Sequence, residues 1–313
     1  MDFRAHSDGK GIVSIERRRA STLNITNLDL EAFYNATQVS PYLCSSTAIT
    51  RVCLPNNLAI IAYGAFSKCR FLTKIRALGA ERVCDRAFSF CDRLSDVEMP
   101  RVVYIGNAAF EGCRKLKEVV SSALELVGDF AFYNCNNLQH AIYPTASSIG
   151  MHAFENCSAL SRFLGGPIGV IAHSTFKGSG LQDVFIHRAT NHIFSDAFMD
   201  CKKLKTITFE AAPTFVSPFA FYGNCKDTKL CLMRPESKVW TLKNMSMLQE
   251  RSRTETIVGV GKCDRALWPY LAYRLEISPF SQWIMYFTMM SAKRIGLPHI
   301  PSEIWLIVER FIF

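Results

Sequence analysis

A phenylalanine recurs along this chain at an almost fixed interval, at Phe66, Phe88, Phe110, Phe132, Phe154, Phe176, Phe198 and Phe221, with Ala before it in all but one case. Six of the seven spacings are 22 residues and the other is 23. A period in this range marks a solenoid, because a unit so short cannot bury its own apolar side and must stack on its neighbours. The architecture follows from this feature, and with it the expectation of a binding scaffold; the partner does not.

Alignment on the Phe brings out the rest of the repeat. Three residues later stand Cys69, Cys91, Cys113, Cys135, Cys157 and Cys201, with Ser179 as the exception and Cys225 one place late. Six residues later stand Leu72, Leu94, Leu116, Leu138, Leu160 and Leu204, and five residues before each Phe comes an aliphatic, from Ile61 to Val216. Between the Leu and the aliphatic lies a short alternating segment: Ile75/Ala77, Val97/Met99, Val119/Ser121, Ala141/Tyr143, Phe163/Gly165, Val184/Ile186 and Ile207/Phe209. Bounded by turn signals such as Pro100 and Pro144, it reads as one half-buried strand per repeat, always in the same direction. Upstream, the stretch from Leu43 to Ile61 fits the same template with Leu43 in the place of the Phe. The divisions expected are a cap over 1–42, a solenoid of eight to nine repeats over 43–225, a linker or irregular cap over 226–263, and a helical cap or docking segment over 264–313.

The clearest copy, Ala-Phe-x-x-Cys-x-x-Leu-x-x-Val-x-Met-Pro from Ala87 to Pro100, resembles the BspA-like leucine-rich repeats. The resemblance covers about 43–225 and implies an α/β repeat solenoid. This would be a right-handed rod with one parallel strand per repeat of 22–23 residues, followed by a small helical C-terminal region. It also implies a surface used for protein contacts; partners in the family are diverse, so only the class of function transfers.

Charge and cysteine content narrow the class. The net charge of +9 invites a nucleic-acid reading, yet residues 66–221 hold 17 basic against 14 acidic groups, and no repeat position carries a basic ladder. A phosphate-tracking groove needs several such contacts acting together, so nucleic acid is not the expected partner. Of the twelve cysteines, six share one repeat position. In a stacked array that position points inward, where Cys serves as a slim hydrophobe, so a reduced, buried ladder is expected rather than disulfides. No Cys-x-x-Cys pair occurs, and no metal or cofactor is expected. Met1 to Arg19 lacks the apolar core of a signal peptide and no stretch reaches the roughly 18 apolar residues of a membrane span, which points to the cytoplasm. The sequons at Asn24, Asn35, Asn156 and Asn244 are a weak signal the other way.

No catalytic constellation emerges, and the chain is not expected to be an enzyme. Gly259-Val260-Gly261-Lys262-Cys263 departs from a phosphate-binding loop at two chemically required positions, Thr256 and Cys263. The informative surface is the outward face of the strands. Lys74, Arg76, Asp96 and Glu98 make it charged in the first repeats, whereas Val120, Ile142, Leu164 and Phe185 then stand side by side, rimmed by Glu118, His140, Arg162 and Asp183. Four adjacent apolar side chains about 4.8 Å apart on an exposed face mark a contact surface, unless the tail of the chain covers them.

That tail carries three helix-like segments, Ala266 to Leu275, Pro279 to Met290, and one opened by Pro301. Around the last, Leu297, Pro298, Glu303, Ile304 and Trp305 resemble the opening of an F-box, which would dock a ubiquitin-ligase adaptor. The Leu-Pro lies two residues too far from the Glu, and the chain ends about two helices early for that motif. The chain thus reads as a non-catalytic protein-interaction scaffold working through the outward face of its sheet. A ubiquitin-ligase substrate receptor and an exported surface adhesin are the alternatives.

Overall fold

The computed structural model describes residues 3–7, 13–17, 26–211, 213–217, 219–224, 228–232 and 256–259. All belong to the first of two compact units, Met1–Gly261; the second, Lys262–Phe313, lies outside the described residues, as do the expected tail helices and the F-box-like segment.

Turns of the solenoid carry two strands rather than one, except that the turn at Lys117–Ser121 has no front strand. The front sheet has a first block, Asn27–Asp29, Arg51–Cys53, Lys74–Arg76 and Asp96–Glu98, and a second, His140–Tyr143, Arg162–Gly165, Asp183–Ile186, Thr206–Phe209, Lys229–Leu232 and Thr256–Gly259; six of the seven alternating segments expected lie in it, while Val119/Ser121 forms no strand. Within each of these two blocks neighbouring strands pair in parallel. The side sheet is built from two-residue strands around the aliphatic that precedes each Phe, such as Ile60–Ile61, Arg82–Val83, Tyr104–Ile105 and Leu126–Val127. The array is also longer than 43–225, since front strands begin at Asn27 and continue to Gly259. At the amino end, Phe3–Ser7 runs antiparallel to Val13–Arg17, and the latter pairs in parallel with Gln38–Val39. This hairpin forms the amino-terminal edge of the side sheet.

No helix occurs among the described residues, so the described solenoid is all-β rather than α/β. The segment between side and front strands is a corner in which left-handed residues stand two places before and two places after each Phe from Phe66 to Phe198. Around Phe88 these are Arg86 (φ 56°) and Phe90 (φ 58°); around Phe154 they are His152 and Asn156. Alternation of right- and left-handed residues turns successive peptide groups in opposite directions. The amides of Arg86, Phe88 and Phe90 therefore donate to Asn107, Ala109 and Glu111 of the next repeat at 2.6–2.9 Å, while those of Ala87, Ser89 and Cys91 donate back within their own turn. A left-handed non-glycine residue costs roughly 1–2 kcal/mol, and the hydrogen bonds that satisfy a buried backbone offset it.

Three side-chain ladders fill and bind this frame. The eight Phe rings stack with centroids 5.2–5.5 Å apart and planes within 15°. Every one of them is buried. Below them, the Sγ of Cys69, Cys91, Cys113, Cys135, Cys157 and Cys201 each donates to the carbonyl of the rung residue in the preceding repeat, at 2.9–3.1 Å. That explains the choice of residue: the thiol is narrow enough for the core and supplies a donor to a carbonyl that water cannot reach. At the outer corner, Asp85, Asn107 and Asp129 each accept the backbone amide of the residue 22 places on, at 2.7–2.9 Å. The glycines beside them are required by this ladder, because a Cβ on Gly128 would stand 2.6 Å from the Asn107 Oδ1.

The first degenerate repeat has a different register from the expected one. Tyr42 and Ser46 are its left-handed residues, and the amide of Cys44 donates to Ala65 as that of Phe66 does to Ala87. Cys44, not Leu43, occupies the ring position, and Leu43 stands where other repeats have Ala.

Phe132 is stacked on both sides and Phe66 on one, with Cys44 on the other. Phe132→Ala is expected to cost about 3–5 kcal/mol, and Phe66→Ala less, in urea-induced unfolding. A reversed ranking would contradict the ladder. Burial also pushes the Cys44 and Cys201 thiols up from 9.0 to about 12. Above pH 9 the unfolded chain releases these protons and the folded chain keeps them, so the stability they contribute falls as pH rises from about 9 to about 12. At pH 10 the loss amounts to about 1.4 kcal/mol for each. Unfolding measured at pH 8 and pH 10 should show the decline, and Cys201→Ser should make it shallower.

Candidate binding face

The outward side of the front sheet changes chemistry along its length. In its amino-terminal block, Lys74 pairs with Asp96 at 2.9 Å and with Glu98, while Arg76 pairs with Glu31 and, at 3.8 Å, with Glu98. Hydrogen bonds to Glu98 and then Asp96 hold the Lys74 ammonium above its usual range. Such exposed pairs add little stability each. Their effect is to leave this half of the face wet and charge-matched.

That network ends at Glu98, and ion pairs resume on this side at Glu210, with His187 and, at 2.8 Å, with Arg188. Val120 is 53% exposed, and Ile142 is half-buried. In the following strands His140, Arg162 and Asp183 align as direct neighbours, as do Ile142 and Leu164. The register expected from the alternation is the observed one: Ala141, Phe163, Val184 and Ile207 belong to the inner core, and Leu164 and Phe185 do not. Their exposure is a correction, for Leu164 is only 3% and Phe185 only 8% exposed. Outward direction and solvent contact part company at these two rungs, and Thr208, next in the row, is buried as well. The accessible part of the stripe is therefore Val120 and Ile142, beside His140, Arg162 and Asp183. The Nδ1 of His140 is buried without a hydrogen-bond partner among the described residues.

A second surface lay outside the sequence reading. On the side sheet and its corner, Leu126, Phe130, Met151, Val170 and Phe215 are large, apolar and exposed. Three histidines stack on rings there, His152 on Phe130 at 4.5 Å, and His173 and His192 on Phe194 at 5.1 and 6.2 Å. The signal available was the residue just before each inward aliphatic, which is apolar at Tyr104, Leu126, Val170 and Phe215. Among the described residues no cluster of three or more His, Cys, Asp or Glu is arranged to hold a metal, and no helix is long and apolar enough to cross a membrane.

The family model described as BspA type leucine rich repeat region matches this chain in six copies, over residues 37–161 and 169–252. The chain belongs to the BspA-type leucine-rich repeat family. The match runs past Cys225, in keeping with the front strand at Lys229–Leu232. Among solved structures, a leucine-rich repeat protein from Bacteroides ovatus superposes with a TM-score of 0.53 at 16% identity, covering 74% of this chain and 70% of that one. The leucine rich repeat protein of T. pallidum gives 0.46 at 15% identity, over 82% of this chain and 97% of the other. The Bacteroides ovatus protein thus shares the fold at very low identity. A search of curated proteins finds no match.

Aspartate substitutions separate direction from exposure. Val120→Asp should leave unfolding free energy within about 0.5 kcal/mol, as for an ordinary surface change. Leu164→Asp and Phe185→Asp each place an unpaired charge in a buried site and should cost about 3–5 kcal/mol. Denaturant midpoints for the three variants provide the check, and equal midpoints would overturn the burial of the last two.

Proposed function

We propose that this BspA-type repeat protein is a non-catalytic protein-interaction module. It works through the front face where Val120 and Ile142 meet His140, Arg162 and Asp183. The observation that carries the reading is the change of surface at Glu98: a face neutralised by its own ion pairs gives way to exposed Val120. An apolar centre with a charged, partly buried rim is the composition of a protein interface. Family membership supports a role in protein contact, and no catalytic arrangement competes with it among the described residues.

The test is paired affinity capture from the source cell. The double variant Val120→Asp, Ile142→Asp should lose a specific partner that the unaltered protein retains, because a charge in the desolvated centre of an interface has no counter-ion. A control change on the side face, Val170→Asp, should keep that partner. Loss with the side variant and retention with the front variant would move the binding surface to the other sheet; an unchanged set of partners with both would overturn the proposal.

A further inference from the structure

The same place on the front face is where the sheet itself is interrupted. Every other turn between Arg51 and Phe209 contributes a front strand, but Lys117, Glu118, Val119 and Val120 form none. The missing bonds can be named. Leu54 donates to Arg76 and Ala77 to Glu98 at 2.8–3.0 Å, but the equivalent bond from Met99 to Val120 is absent. On the entering side Thr73 donates to Thr50 and Ser95 to Thr73, and the bond from Lys117 to Ser95 is likewise absent; Gln139 to Lys117 then resumes the series at 2.9 Å. Among the described residues no ion pair reaches across the break either, since the network of Lys74, Arg76, Asp96 and Glu98 ends on the amino-terminal side.

The other two sides of the solenoid are intact at this turn. Tyr104–Ile105 pairs with Leu126–Val127, and the corner amides of Ala108, Phe110 and Gly112 reach the next repeat at 2.8 Å. The rings of Phe110 and Phe132 are 5.5 Å apart with planes 2° from parallel. Inside, the front position that Met99 and Tyr143 fill in neighbouring turns holds only Ser121. Its hydroxyl bonds to the carbonyls of Val102 and Pro100 rather than packing.

We propose that Lys117–Ser121 is a hinge built into the front sheet. With side sheet, corner and ring stack closed and only the front open, the two halves can bend about the closed sides, changing the curvature of the front face where its chemistry changes. A tube held on all sides resists bending, and one with a single unbonded side yields there. The proposal does not depend on the front face being the binding surface.

Two measurements test it. In hydrogen exchange on the unaltered protein, the amides of Met99 and Lys117 should exchange at least about 100-fold faster than their counterparts Ala77 and Ser95, with Gly128 on the side sheet remaining protected. Equal protection of the two sets, or loss of protection at Gly128 too, would overturn the hinge. In a Cys53→Ser, Cys84→Ser background, spin labels at Arg51→Cys and His140→Cys span the break on the front, and labels at Ile60→Cys and Ser148→Cys span the same turns on the side, where the strands pair without interruption. The front distance distribution should be clearly broader than the side one. Equal widths, narrow or broad, would show a uniform rod and sink the proposal.

Discussion

The structure depends on the hydrogen bonds that pass from one turn to the next through the corner. A turn of about 22 residues has too little apolar surface to fold alone, so each peptide group that cannot be satisfied within its own turn must find a partner in the next. The alternation of right- and left-handed residues about each Phe makes this possible, because it sends every second amide forward. The stacking of the rings, the thiol donors beneath them and the Asx ladder outside them all repeat at the interval those bonds impose. Strain at each left-handed residue is thus part of what fixes the period.

Much of this was legible in the sequence, for a physical reason. A residue stacked on its own copies must recur in register, which is why the Phe and Cys columns and the inward residues of the front strands could be read directly. The side strands escaped because two residues, one inward and one outward, leave no alternation to detect. The corner escaped because its left-handed positions hold residues as different as Arg86, Phe130, His152 and Asp196, and the conformation is dictated by the ladder, not by propensity. The degenerate first repeat was misaligned by one place, since Leu43 resembles Phe in kind more than Cys44 does. Outward direction at Leu164 and Phe185 followed from alternation, but burial on that face depends on more of the chain than one strand and its neighbours.

The binding face shows how a repeat protein varies function without varying fold. Inward columns are fixed by packing; outward columns carry no such constraint, and this chain uses them for ion pairs from Glu31 to Glu98 and for Val120 and Ile142 in the turns that follow. The boundary falls at the turn whose inward front position holds Ser121, and it is flanked by Tyr143, whose hydroxyl is buried without a hydrogen-bond partner among the described residues. Local imperfection and change of surface coincide.

The amino-terminal hairpin has a consequence for assembly. A stack of parallel strands is a template that another copy could extend, since the last rung of one molecule resembles the rung below the first of the next. Here the outermost strand, Phe3–Ser7, runs against the direction of the repeats, and its exposed residues include Arg4, held by Glu16 at 3.2 Å, and His6. An arriving strand of repeat polarity would meet a neighbour of the wrong sense, with neither ring stack nor corner ladder behind it. Reversing one strand is enough to make a translationally symmetric fold finite at that end.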